Sequence, residues 1–161
     1  MARLSISVVV GTLISIIGVS LFTMWEEMQI IIDYFGSNPI IAFAYIFEIN
    51  FGFDMITYLL NADFSIFTFF SPQMVAWLFI GYVSGTIAKG IKNGFLSGLF
   101  VVIINILLWI ILSIFASIDL MSLFTGGALI ATLGGFLTAF IGGLGGGTLG
   151  GIVSGPSEEY L

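Results

Sequence analysis

Carboxylates between residues 26 and 63 are the side chains best suited to chemistry in this chain: Glu26, Glu27, Asp33, Glu48, Asp54 and Asp63. Converging carboxylates can bind a hard cation such as Ca²⁺, which needs about six or more oxygen ligands. Glu26 and Asp33 would share one face of a helix, but the spacing of Glu48 and Asp54 would not bring them together on a helix. We therefore expect a solvated acidic surface here and predict no metal site.

No cysteine and no histidine occurs in the sequence. This composition excludes thiolate and imidazole metal sites, haem ligation by either residue, and catalysis by a cysteine or histidine. The remaining polar candidates are serine and threonine hydroxyls in the first apolar run and Asn105, which we expect to hydrogen-bond between helices. We predict no catalytic residue, no cofactor and no enzyme activity.

The composition is that of an integral membrane protein. Of 161 residues, 59% are hydrophobic and 7% are charged, and the mean hydropathy is +1.22, whereas soluble domains carry about 25% charged residues. The few charges leave long uncharged runs, which are typical of helices that span a bilayer. The net charge of −6 argues against nucleic acid as a partner. We expect a multi-pass protein of the cell membrane, surrounded by lipid bilayer.

Four apolar runs predict membrane spans, at residues 4–25, 74–88, 95–116 and 120–142, and a glycine-rich extension continues the last run to residue 155. The first run ends in bulky residues rather than in a small-residue cleavage site, so we expect it to be retained as a span. Lys89, Lys92 and the Asn-Gly pair that follows predict a tight polar turn, which makes the second and third spans an antiparallel hairpin.

Residues 39–60 are apolar enough to suggest a fifth span, but two observations argue against one. Glu48 and Asp54 lie inside the segment, and a charged side chain at the bilayer centre costs about 2.5–3.5 kcal/mol. A fifth span would also separate Arg3 from Lys89 and Lys92, against the positive-inside rule. We therefore predict one all-α membrane domain, a four-span bundle with both termini in the cytoplasm.

In this arrangement residues 26–72 lie outside the cell. Their many phenylalanines and acids predict helices at 28–35 and 42–60 that are interfacial or partly re-entrant, with aromatic rings at the headgroups and acids facing water. A simple cap over the bundle is the alternative role for this segment.

Small residues recur every four positions along the last predicted span. These positions, here called the glycine ridge, are Gly127, Ala131, Gly135, Ala139, Gly143, Gly147 and Gly151. Shorter patches of small residues lie on the second and third spans at Gly81, Gly85, Gly94 and Gly98. Because helices in lipid associate by close packing, we predict helix packing or assembly at all of these positions. Residues 142–147 contain so much glycine that they also predict a hinge.

The hairpin from Trp77 to Leu99 resembles small, uncharacterised archaeal multi-span membrane proteins. In those proteins a tryptophan-led span with paired glycines turns through a short basic loop into a span that begins with glycine. The last span is similar to glycine-zipper membrane segments in general. The resemblance implies a close-packed hairpin and no assigned chemistry, so it identifies no functional residue.

Two functions are compatible with these patterns. The first is a non-catalytic membrane component, which self-assembles as a homo-oligomer or serves as an accessory subunit of a larger membrane complex. The second is an oligomeric channel or facilitator for ions or small neutral solutes, with the glycine-rich last helix as its pore or gate. The spans contain no ring of charged residues that would select ions. They also lack the ionisable groups of a charge-coupled transporter.

Overall fold

The protein is described here by a computed structural model covering residues 2–23, 25–61 and 65–155. Asp63, Glu158 and Glu159 lie outside these residues. Within them every secondary-structure element is a helix, which confirms the predicted all-α class. The helices are α1 (Ala2–Phe22), α2 (Met28–Ser37), α3 (Pro39–Ile49), α4 (Met55–Leu60), α5 (Ile66–Phe69), α6 (Pro72–Ala88), α7 (Ile91–Phe115), α8 (Leu120–Leu123) and α9 (Gly126–Val153).

Helices α1, α6, α7 and α9 pack together as a bundle. Among the described helices, α1, α7 and α9 are long and apolar enough to cross a membrane, and α6 is shorter at 17 residues. Ser7 contacts Ser97 and Ser15 contacts Asn105, so α1 and α7 run in the same direction. Helices α6 and α9 run in the opposite direction.

Helix α6 lies at the centre of the bundle, where it contacts α1, α7 and α9. It begins at a Ser71 cap, whose hydroxyl accepts from Met74 N at 3.3 Å, followed by Pro72 in the first turn. It ends at Lys89 (φ 55°) and Gly90 (φ 85°), and α7 starts at the next residue. The hairpin turn therefore consists of these two residues, and not of the Asn-Gly pair that the sequence indicated. That pair belongs to the first turn of α7, because two successive left-handed residues already reverse the chain.

Helix α9 is continuous from Gly126 to Val153, so the hinge predicted at residues 142–147 is a regular part of the helix. Neighbouring helices hold it there. A Cβ added at Gly142 would lie 2.6 Å from Trp77 Cβ, and one at Gly143 would lie 2.7 Å from Val102 Cγ2. The predicted start of the span at Leu120 falls instead in the short helix α8, and Gly126, with φ 55°, separates the two helices.

The segment before α6 contains α2, α3, α4 and α5. The predicted helix at 42–60 is broken in the middle, between the end of α3 at Ile49 and the start of α4 at Met55. Asp54 starts α4 by accepting from Thr57 N at 3.0 Å, as an N-cap residue does. Residues 50–54, here called the link, are therefore not helical.

The link belongs to the hydrophobic core. Phe51 is 8% exposed, and its ring centroid lies 5.9 Å from those of Trp77 and Trp109 and 5.2 Å from that of Phe136. These rings belong to α6, α7 and α9, so one side chain of the link joins three helices of the bundle. Edge and offset contacts of this kind stabilise aromatic clusters beyond their buried area.

Candidate functional site

The link enters the bundle instead of covering its end. Trp77 Nε1 donates to Asn50 O at 2.8 Å, and Thr138 Oγ1 donates to Phe53 O at 2.8 Å. Side chains of α6 and α9 thus satisfy carbonyl groups that a broken helix leaves without helical partners. Non-helical backbone is tolerated at membrane depth only when it is buried in protein or lines a cavity.

The depth of the link follows from its partners. Asn50 Nδ2 donates to Ser15 O at 3.2 Å and lies 3.5 Å from Asn105 Oδ1. Ser15 lies about two turns before the end of α1, and Asn105 about three turns before the end of α7. Asn50 is therefore about 10–15 Å inside the bundle, at 1.5 Å per helical residue.

Ser15, Asn50 and Asn105 form a buried cluster, here called the polar centre. Ser15 Oγ donates to Asn105 Oδ1 at 2.7 Å, and Asn105 Nδ2 donates to Val101 O at 2.9 Å. All three residues are at most 1% exposed. None carries a charge, so the centre can exchange hydrogen bonds with a neutral molecule but offers an ion no counter-charge.

The polar centre is closed towards the other end of the bundle by an apolar contact. Val101, 1% exposed, packs against Gly11 so tightly that a Cβ on that glycine would lie 2.6 Å from Val101 Cγ2. Beyond this contact, Ser7 and Ser97 share a hydrogen bond of 2.8 Å between α1 and α7. Buried polar groups therefore lie on both sides of one valine.

A cavity of about 220 Å³ adjoins the link, α7 and α9. Glu48 and Asp54 both line it, together with Trp109 and Thr132. The expectation that these two acids stay apart is wrong, because it assumed a continuous helix and the non-helical link brings them to one cavity. Burial raises the pKa of Glu48 above its ordinary value. Among the described residues no group of three or more possible metal ligands of the acid, histidine or cysteine type occurs.

A second cavity, of about 320 Å³, shares Asp54 with the first. It is lined by Phe53, Asp54, Thr57, Tyr58, Asn61 and Thr68. Both carboxylate oxygens of Asp54 accept hydrogen bonds from Thr57, so this side chain holds the start of α4 while it borders both cavities.

The predicted small-residue positions lie in two different environments. A Cβ at Gly81, Gly85, Gly94 or Gly98 would meet the backbone of Gly143 or Gly147, so these six glycines lie where α6 and α7 meet α9. Gly135, Ala139 and Gly151 are also buried. Gly127 and Ala131 are exposed, and nothing lies within 4 Å of a Cβ built on Gly127.

A second row of buried small residues runs beside the glycine ridge, at Gly134, Thr138, Gly142, Gly146 and Gly150. The single ridge predicted from the sequence omits it. The signal for this second row was the Gly-Gly pairs that begin at residues 134, 142 and 150. Two adjacent glycines leave two neighbouring rows of the helix surface without side chains. Gly142, Gly146 and Gly150 of this row pack on α6, where Leu78 and Tyr82 face them, whereas Gly134 packs on Asp54 of the link.

The polar centre was only partly foreseeable. Asn105 stood out as an amide inside an apolar run, and the structure places it between α1, α3 and α7. Asn50 and Trp77 were missed as site residues. The one signal for Asn50 was its polarity within residues 39–60, and that polarity indicated an interface rather than a buried position.

No protein-family model matches the chain, and no curated protein and no solved structure matches it either. The resemblance of the hairpin to archaeal membrane proteins stays a prediction. What the protein does must therefore be argued from its own geometry.

Proposed function

We propose that the chain is a four-span protein of the cell membrane with both termini in the cytoplasm. Support for α6 as the fourth span comes from its position at the centre of the bundle, beside α1, α7 and α9. A helix surrounded by protein needs less apolar surface than one that faces lipid. Support for the orientation comes from Arg3, Lys89 and Lys92, which fall at one end of the bundle, where positive charges favour the cytoplasm.

In this orientation α3 and α4 form a re-entrant pair that enters from outside the cell. Support comes from the acids near the outer end: Glu26, Glu27, Asp33, Glu48, Asp54 and Asp119. No basic residue accompanies them in the sequence between Glu26 and Ala88 or between Asn93 and Gly126. The negative charge at this outer end repels anions and leaves neutral molecules unaffected.

We infer that the protein is a facilitator that lets a small solute cross the membrane past the polar centre. The observation that carries this inference is the non-helical link, held about 10–15 Å inside the bundle by side chains of α6, α7 and α9 and by a backbone carbonyl of α1. Broken helices that meet near the bilayer midplane form the binding sites of many transporters. Val101 against Gly11 closes the path on the inner side in the conformation described here.

Purified protein in sealed vesicles tests the facilitator directly. The rate of osmotic swelling is recorded for a panel of small neutral solutes. The flux of monovalent cations and anions is recorded with a reporter dye. Both rates are compared with those of vesicles without protein. We expect at least one solute to enter faster with protein, and Asn50→Leu to reduce that excess severalfold. Asn93→Leu, at an asparagine in the first turn of α7 that lines neither cavity, is the matched control. Permeabilities equal to those of empty vesicles for the whole panel would contradict the proposal.

The second candidate is self-assembly, or service as an accessory subunit, with a non-catalytic role. The observation that favours it is the exposed start of the glycine ridge at Gly127 and Ala131, where nothing in the described chain lies within 4 Å of a Cβ built on Gly127. The mass of the protein after gentle extraction tests it. We expect Gly127→Leu to shift the mass to a smaller species if this end joins two copies, and an unchanged mass would count against the candidate.

A further inference from the structure

Buried polar atoms without a hydrogen-bond partner among the described residues gather on one face of α7. They are Asn50 Oδ1, Trp109 Nε1 and Ser113 Oγ. Their residues are 1%, 3% and 0% exposed, respectively. Buried polar groups are nearly always hydrogen-bonded, so unpaired ones in a native fold call for a bound molecule or another explanation.

The residues that carry or adjoin these atoms follow one line along the helix. Asn105, Trp109 and Ser113 succeed one another at intervals of one turn on the buried face of α7, and Asn50 adjoins Asn105. One turn is about 5.4 Å along the axis, about the length of two hydrogen bonds of about 2.8 Å placed end to end. A residue spacing of one turn suits bridging by one small molecule per turn.

The orientation of the Asn50 amide is determined by its surroundings. Its nitrogen faces two oxygens, Ser15 O at 3.2 Å and Asn105 Oδ1 at 3.5 Å. A flipped amide would place its oxygen against both of these acceptors, which is unfavourable. The free atom is therefore an acceptor, whereas the free atom of Trp109 is a donor and the hydroxyl of Ser113 can do both.

A molecule that fits these three atoms must carry both a donor and an acceptor. A neutral molecule suits them best, because none of the three side chains itself has a charge that would compensate an ion. Trp109 also lines the cavity of about 220 Å³ shared by Glu48 and Asp54, which has room for several waters at about 30 Å³ each. Such molecules therefore have room next to the site.

We propose that Asn50 Oδ1, Trp109 Nε1 and Ser113 Oγ bind small neutral molecules that both donate and accept hydrogen bonds, either water or a small polyol or amide. This proposal rests on the proposed function and names the solute class of the same path. The site forms the outer part of that path, and the polar centre is its inner end.

Hydroxyl-radical labelling of the wild-type protein in vesicles tests the site, because bound water converts to radicals in place and oxidises adjacent indoles. Trp77 is the internal control. Its ring is buried and lies 5.9 Å from Phe51, as the ring of Trp109 does, but its Nε1 donates to Asn50 O. We expect Trp109 to be oxidised severalfold faster than Trp77. Equal protection of the two would overturn the site.

One variant separates bound molecules from leakage of bulk water into the cavity. Ser113→Ala removes one ligand and is expected to lower Trp109 labelling, whereas leakage would leave the labelling unchanged. If the site binds molecules, this variant does not raise the melting temperature. If it is dry, removing the unpaired buried hydroxyl raises the melting temperature, and that result would overturn the proposal.

The chemical class of the ligand is determined by repeating the labelling in the presence of glycerol and in the presence of urea. A selective loss of Trp109 labelling in either identifies a polyol or an amide, and unchanged labelling identifies water. The flux assay keeps the two proposals separate. Labelling of Trp109 without flux leaves the site in place and contradicts the facilitator, whereas flux with Trp109 as protected as Trp77 overturns the site alone.

Discussion

Asn105 joins three helices through one side chain. Its oxygen accepts from Ser15 on α1 and faces the amide of Asn50 at the end of α3, while its nitrogen donates within α7. Satisfied polar groups in an apolar interior fix one arrangement of the helices, because any other leaves them unpaired. The residue thus sets the position of the link as well as stabilising the bundle.

Replacing Asn105 by leucine tests this role. The variant leaves the Ser15 hydroxyl without its interhelical acceptor and removes an acceptor of Asn50, so we expect a loss of about 1–3 kcal/mol in the free energy of unfolding. Denaturant titration in detergent micelles measures the change. Asn61→Leu, at an exposed asparagine, is the control. Equal stability of the two variants would show that the polar centre does not hold the helices together.

Glu48 makes stability depend on pH. Burial raises the pKa of its carboxyl group in the folded protein, so the charged form is disfavoured by folding. The contribution of Glu48 to stability is therefore highest below the pKa of the unfolded state and falls as the pH rises through the pKa of the folded state. We expect Glu48→Gln to raise the melting temperature at neutral pH and to have no effect in acid. Glu26→Gln, at an exposed acid, should change neither value.

At the scale of the element, α9 depends on the absence of side chains on two rows of one face. A Cβ on Gly147 would collide with the Gly94 carbonyl oxygen, whereas one on Gly145 would reach Leu78 Cδ2 at 3.8 Å, an ordinary contact. We expect Gly147→Ala to lose about 1–3 kcal/mol of stability through overpacking. Gly145→Ala should lose nothing, since alanine favours a helix. Unfolding in micelles compares them, and similar losses would contradict the packing.

Leucine substitutions at Gly143 or Gly147 cannot distinguish assembly from gating. Since both glycines pack against α6 and α7 of the same chain, such variants disrupt the fold and answer neither question. Only the exposed start of the ridge, at Gly127 and Ala131, separates assembly from folding.

Helix type and extent were largely predictable because they depend on local hydropathy. The bundle helices begin and end within a few residues of the predicted spans, except that α9 starts at Gly126 and stays helical through its glycines. The break between α3 and α4 was not predictable. It depends on partners distant in sequence, such as Trp77 and Thr138, which bind the carbonyls of the link.

At the scale of the whole molecule, the polar residues around the break between α3 and α4 are tolerated for a physical reason. The sequence argument assigned Glu48 and Asp54 the transfer cost of isolated charges in lipid. The fold supplies partners instead: Asn50 bonds within the polar centre, Asp54 caps α4, and Glu48 lines a cavity. Polar residues that are unfavourable in a lone span become tolerable inside a bundle, and there they mark a site.

In the proposed facilitator, the link lies inside the membrane domain and is reached by water from outside the cell. Because the chain has no cysteine, one introduced thiol gives an unambiguous signal. Gly52→Cys places it in the exposed part of the link, and Gly36→Cys places it on exposed α2 as the matched control. The measurement is the extent of thiol labelling by a small and by a bulky impermeant reagent. Each reagent is applied separately to each side of the membrane.

We predict that the small reagent labels both variants from outside and that the bulky reagent labels Gly36→Cys alone. Equal labelling of both thiols by the bulky reagent would place the link on the membrane surface. Labelling of Gly52→Cys from the cytoplasmic side would reverse the orientation. Either result would contradict the account of a re-entrant pair that leads to the polar centre.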